Sequence, residues 1–318
     1  KVEISVVKKD AETGAVVKGA TFGLYVKEDI LAGEKVIVKA GTLLSEAVTG
    51  EDGRAVFTCD LPFGIYEIRE LSAPAGYVSS KEVLEVKAEY QGQDVKVVAL
   101  SSDFENKPTK IAVKKTDVTT GVELSGATLT VLDKDGTVVD TWTSVKGEEH
   151  LIERLTVGET YTLREEFAPY GYLIAEEVTF TVEDTAEIQK VEMKDDVPTG
   201  TILINKKGEF LEDVSALDTI GGWIAHLFEY VTGALKEVTF EVYALEDIKA
   251  ADGESGDHYK KDELVGTITT DETGVARLSD LPLGKYYIKE KETAEGFVLD
   301  GKIREVDLTY RDQHTAEV

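Results

Sequence analysis

Three lysines set among apolar residues, Lys8, Lys115 and Lys206, are each followed far along the chain by a glutamate at a fixed place in a Gly/Tyr strand segment. Glu70 lies four residues after Tyr66 and six before Gly76; Glu165 stands the same way between Tyr161 and Gly171, and Glu290 between Tyr286 and Gly296. An amine attacks a carbonyl only when neutral, and burial among apolar side chains favours that form. A buried carboxylic acid can hydrogen-bond to an acyl group, polarise its carbonyl and carry a proton to the leaving group. The missing part of such a set is an Asn or Asp side chain on an adjacent strand. The product would be a Lys-to-Asn or Lys-to-Asp side-chain amide.

Two acyl partners can be read from the ends of the repeats. Asn106 closes the first repeat in Phe104-Glu105-Asn106-Lys107-Pro108 and shares the strand parity of Phe104. In the second, Asp195 keeps the parity of Val191 and Met193, whereas Asp196 keeps the spacing to the proline. Parity decides side-chain direction, so Asp195 is preferred and Asp196 is the competitor. Ammonia should leave in the first case and water in the second. For the third repeat, Glu89–Val98 aligns with Thr309–Val318, and Asn106 comes eight residues after Val98. Lys206 and Glu290 are therefore expected to be poised but unlinked, the last strand being missing unless another strand completes the sheet.

The elements that must position these groups are short strands. Val2, Ile4, Val6 and Lys8 share one parity, as do Ile111, Val113 and Lys115, and Ile202, Ile204 and Lys206. Gly, Pro and Asp cluster at turns, and Val, Ile, Thr, Tyr and Phe fill the strand interiors. The pattern predicts an all-β chain of three tandem immunoglobulin-like sandwiches: residues 1–107, 108–198 and 199–318. The third carries an insertion at 208–236, whose apolar spacing through Trp223 and Phe228 predicts one or two short helices interrupted by Gly221-Gly222. Its apolar side chains either pack on their own sandwich or form an exposed adhesive surface. Trp142 is read as a core cover and Cys59 as a small core or edge residue.

Composition narrows the function classes. Asp and Glu number 62 against 35 Lys and Arg, for a formal charge of −27, a field that repels nucleic acid and anionic membranes. One cysteine excludes an intrachain disulfide, and no Cys/His spacing suggests a metal; no cofactor is expected. No stretch approaches a transmembrane length, and no signal peptide is visible at Lys1. A turnover enzyme is not expected, since no nucleophile-elbow or metal motif is present and the Lys/Glu chemistry consumes its own side chains.

Lys-x-Asp at Lys8–Asp10 and Lys115–Asp117, Gly-Ala-Thr-Phe at 19–22, and Leu-Pro-x-Gly-x-Tyr followed by Glu-x-x-x-Pro-x-Gly-Tyr resemble the Cna B-type, or SpaA-like prealbumin-fold, domains of Gram-positive surface adhesins and pilins. The resemblance covers nearly the whole chain. It implies a prealbumin-like fold, with Lys8, Lys115 and Lys206 as amines, Glu70, Glu165 and Glu290 as catalytic acids, and Asn106 and Asp195 as acyl partners. The third repeat departs from it, with Lys206-Lys207-Gly208 in place of Lys-x-Asp and Ala294 in place of the proline. The implied role is an extracellular stalk segment anchored to a cell wall, flanked by neighbouring domains of the same protein. The alternative is a module that binds a host extracellular protein or glycan through the 208–236 insertion.

Overall fold

A computed structural model describes the backbone of residues 1–218 and 224–318. The chain is all-β and forms three sandwiches; the first two share one strand order, and the third has two strands in the sheet where they have three. In the first repeat, Val2–Asp10 lies between Arg54–Leu61 and Val98–Asn106, and the facing sheet runs Leu43–Val48, Thr21–Val26, Gly64–Ser72, Val83–Ala88. In the second, Lys110–Asp117 is flanked by His150–Glu153 and Gln189–Asp195, opposite Val138–Thr143, Thr128–Leu132, Thr160–Phe167 and Val178–Thr181. In the third, Gly200–Asn205 pairs with Val275–Leu281, opposite Leu264–Thr269, Thr239–Ala244, Gly284–Glu292 and Arg304–Leu308.

The first and last strands of repeat one are parallel neighbours, in register from Val2↔Val98 to Asp10↔Asn106. That pairing sets Lys8 opposite Phe104, with Asn106 one same-face step further along. Val2, Ile4, Val6 and Lys8 all face inward and are buried, into a core with Phe22, Phe57, Tyr66 and Phe104. In the third repeat, Ile202 packs with Val238, Phe240, Val242 and Tyr286. Thr199 forms a parallel bridge to Glu317, and the Thr201 amide donates to the Val318 carbonyl.

Packing gathers the chain into two units. Lys1–Lys114, Leu129–Arg164 and Glu177–Met193 form one; Lys115–Thr128, Glu165–Glu176 and Lys194–Val318 form the other. The first thus holds repeat one and most strand residues of repeat two. The second holds the Lys115, Glu165 and Asp195 end of repeat two together with repeat three.

The expected helical insertion is corrected by the structure: among the described residues there is no helix. Lys207–Asp218 and Ile224–Ala234 instead form a long antiparallel ribbon, paired from Lys207↔Ala234 to Asp218↔Ile224 with a shift of register between Leu211 and Asp213. The cause lies at the start of the segment. In repeats one and two the Asp of Lys-x-Asp turns the chain: Asp10 Oδ1 accepts the amides of Glu12 and Thr13, and Asp117 Oδ1 those of Thr119 and Thr120. Gly14 and Gly121 complete these turns with φ of 71° and 70°. Gly208 has no side chain to make that turn, so the strand runs on. The helical spacing of its apolar residues was an ambiguity that strand pairing resolves. Gly221-Gly222 and Trp223 lie outside the described residues. Phe210 packs edge-on against Phe297 at 5.3 Å, while Leu211, Phe228 and Tyr230 are exposed.

Candidate functional site

In repeat one, three strands deliver three side chains to one dry point. Lys8 Nζ lies 3.4 Å from Glu70 Oε1, and the Asn106 Nδ2 group donates to Glu70 Oε1 and Oε2 at 2.8 and 3.0 Å. The Ser80 amide donates to Glu70 Oε2 at 2.9 Å and orients the carboxyl. Lys8 is fully buried, with Nζ 4.6 Å from the Phe104 ring centroid and 6.0 Å from that of Phe22. Burial pushes the Lys8 amine below its usual range, against the opposing pull of Glu70. Its Nζ makes no hydrogen bond, which in a buried donor costs about 1–3 kcal/mol.

Repeat two repeats the arrangement with a carboxyl in place of the carboxamide. Lys115 Nζ lies 2.9 Å from Glu165 Oε1 and contacts Asp195 Oδ1, all three side chains being closed to solvent. The Ala175 amide donates to Glu165 Oε2 at 2.7 Å, the counterpart of the Ser80 bond. Burial, opposed by Lys115 and reinforced by Glu165, pushes the Asp195 carboxyl up to about 7. Asp196 is exposed, its carboxylate taken by the Val197 amide at 2.8 Å. The structure therefore brings Asp195, and not Asp196, to Lys115.

Repeat three brings Lys206 and Glu290 together at 2.6 Å, with no Asn or Asp in that contact among the described residues. The Lys206 side chain keeps 20% of its surface, against 0% for Lys8 and 1% for Lys115. It opens into a groove of about 320 Å³ lined by Ile204, Phe240, Ile288, Arg304 and Val306.

The residues that hold these sites were partly missed in the sequence. The Asp of Lys-x-Asp accepts the hydroxyl of the Tyr in Pro-x-Gly-Tyr: Tyr77 donates to Asp10 and Tyr172 to Asp117. Both motifs were visible, but not that they meet. Trp142 is half-buried and stacks on His150, centroids 4.0 Å apart. Cys59 is partly buried against the core. Among the described residues no group of His, Cys, Asp and Glu could hold a metal ion.

The model of the SpaA prealbumin-like fold domain matches the chain three times, over residues 2–102, 109–197 and 229–318. The chain belongs to that family. No curated protein matches it. Among solved structures, it is similar to the Bacillus anthracis TIE protein, with 24% identity and a TM-score of 0.54 over 99% of this chain and 49% of that one. It therefore spans about half the length of that protein. It is also similar to BcpA, the major pilin subunit of Bacillus cereus, with 16% identity and a TM-score of 0.44 over 99% of this chain and 97% of that one. The shaft pilin SpaA of Lactobacillus rhamnosus GG matches at 15% identity and a TM-score of 0.28, over 62% of this chain and 97% of that one. Each family match falls within one sandwich; the third begins only at residue 229 and so leaves out Gly200–Asn205 and most of the ribbon.

Proposed function

We propose that this chain is a tension-bearing stalk segment of an extracellular, cell-wall-anchored surface protein of a Gram-positive bacterium, its first two repeats sealed by self-formed amide bonds. The observation that carries this reading is the convergence of Lys8, Glu70 and Asn106, and of Lys115, Glu165 and Asp195, each as one solvent-free cluster. Neutral Lys8 Nζ attacks Asn106 Cγ beside the Glu70 carboxyl, which lies 3.4 Å from Nζ and already holds the Asn106 Nδ2 leaving group. The Nζ–Cγ bond forms, the Cγ–Nδ2 bond breaks, and Glu70 relays a proton from Nζ to the departing ammonia. In repeat two Glu165 serves Lys115 in the same way, and Asp195 loses water. Each event occurs once and there is no turnover.

The mechanical use follows from strand direction. Parallel first and last strands leave the chain entering repeat one at one end of the pair and leaving it at the other. Tension shears that pair. A Lys8–Asn106 amide would carry load from the first strand straight to the connector and bypass residues 9–105. Such a link would also constrain the unfolded chain and block unzipping from the ends. In this reading Lys206 and Glu290 are the corresponding amine and acid, with no Asn or Asp in their contact among the described residues. Intact-mass measurement tests the scheme: one lost ammonia plus one lost water are expected, and an unmodified mass refutes it.

A second reading, binding of a host protein or glycan, is favoured by one observation: Phe228 and Tyr230 of the ribbon are 52% and 62% exposed. Replacing both by Ser should abolish adhesion of the full chain to immobilised matrix proteins or glycans if the ribbon is adhesive, and leave it unchanged if the chain only spaces.

A further inference from the structure

The joint between repeats one and two is made of bonds from both sides. Its connector, Lys107-Pro108-Thr109, is held by repeat one through the Val78 amide donating to the Lys107 carbonyl at 2.9 Å and the Thr109 amide donating to the Gly76 carbonyl at 3.0 Å. Repeat two holds it through the Arg154 amide donating to the Thr109 carbonyl at 3.0 Å, and the Thr109 hydroxyl donating to the Leu155 carbonyl at 2.6 Å. Over this connector the Arg154 side chain reaches into repeat one. Its Nη2 donates to Asp10 Oδ2 at 3.0 Å and its Nε to the Tyr77 hydroxyl at 3.4 Å.

Three features make this a built contact. Asp10 keeps only 1% of its side-chain surface, and its carboxylate is saturated by the Glu12 and Thr13 amides, Tyr77 and Arg154. Arg154 holds a φ of 62°, a left-handed backbone that is uncommon for any residue but Gly, Asn or Asp. Gly76 has a φ of 85°, and a Cβ there would stand 2.7 Å from the Arg154 carbonyl oxygen, so glycine is required for the two repeats to approach this closely. Lys110 Nζ to Glu12 at 2.8 Å and the Ser79 amide to Asp184 at 2.8 Å add polar contacts between the same repeats.

We infer that Arg154 is a joint-locking residue, seated on the Asp10–Tyr77 pair, that makes repeats one and two a single stiff element. Domains joined by a short connector move relative to each other unless their interface holds them. A guanidinium suits this seat because its planar set of donors serves a carboxylate and a hydroxyl at once, which an ammonium does less well. The matching positions, immediately before the Leu of the following turn, carry Asp60 in repeat one and Asp280 in repeat three, so the lock belongs to this joint.

The test uses the full chain with Cys59→Ser and spin labels on Val56→Cys in repeat one and Val139→Cys in repeat two, both exposed. Arg154→Met should at least double the width of the inter-label distance distribution, with Arg154→Lys intermediate. A control pair within repeat one, Val56→Cys with Leu31→Cys, should keep its width. An unchanged inter-repeat width in Arg154→Met overturns the inference. So does equal broadening of the control pair, which would make Arg154 a general fold residue.

Discussion

Tyr172 donates its hydroxyl to Asp117 at 2.9 Å, as Tyr77 does to Asp10 at the same distance. Each aspartate stands two residues beyond a buried lysine and turns the chain away from it. The tyrosine thus ties the loop after the glutamate strand to the end of the lysine strand. Burial, and then the bond to Asp117, pushes the Tyr172 phenol well above its usual range, so it remains a donor at all physiological pH. Tyr172→Phe should destabilise repeat two by about 1.5–3 kcal/mol, the usual worth of a hydrogen bond to a charged group. Urea denaturation of an unlinked background would measure it; a loss below experimental error would mean that the turn is held by its backbone bonds alone.

Glu70→Gln and Glu165→Gln should separate the two reactions. The first variant is expected to lose only water and the second only ammonia, because each carboxyl serves its own lysine. Mass spectrometry of proteolytic fragments reads this directly. Retention of both losses in either variant would remove the glutamates from the chemistry.

Asp195 predicts a pH dependence that the proposed cross-link would erase. Burial chiefly raises its folded pKa to about 7, above the ordinary Asp value. A raised folded pKa gives stability that is complete below the unfolded pKa and lost as pH rises through the folded one. Unlinked repeat two, in Lys115→Met, keeps the burial and the Glu165 that raise Asp195 and loses the lysine that lowers it, so it should denature more easily at about pH 8 than at about pH 5. In the parent, the proposed Lys115–Asp195 amide would remove that carboxyl and with it the slope. Equal slopes in both chains would contradict the raised value.

Asp10 predicts the opposite sign. Burial would raise it, but the Thr13 amide, Arg154, the Glu12 amide and Tyr77 together hold it well below the usual carboxylate range. A depressed folded pKa gives stability present above the unfolded value of about 3.9 and lost as pH falls. Acid titration should show the full stability gap between the parent and Asp10→Asn above that value, and a gap that narrows progressively as pH falls below it toward the depressed folded pKa.

Lys206 should acylate readily with an amine-reactive reagent in the native chain, whereas Lys8 and Lys115 should not. Its side chain retains a fifth of its surface and theirs are closed. Protection of Lys206 equal to that of the other two would show that it is already linked or covered.

Sequence alone determined that Lys8, Lys115 and Lys206 point inward and that Glu70, Glu165 and Glu290 recur in one pattern, because strand parity has a period of two and is local. The same parity favoured Asp195 over Asp196. Tertiary structure decided the rest. Residues 207–234 carry apolar spacing compatible with helix or strand, and only the pairing of one arm with the other selected the ribbon. Arg154 lies 144 residues from Asp10 in sequence. No local pattern can announce such a contact, since it arises only when two finished sandwiches meet across their connector.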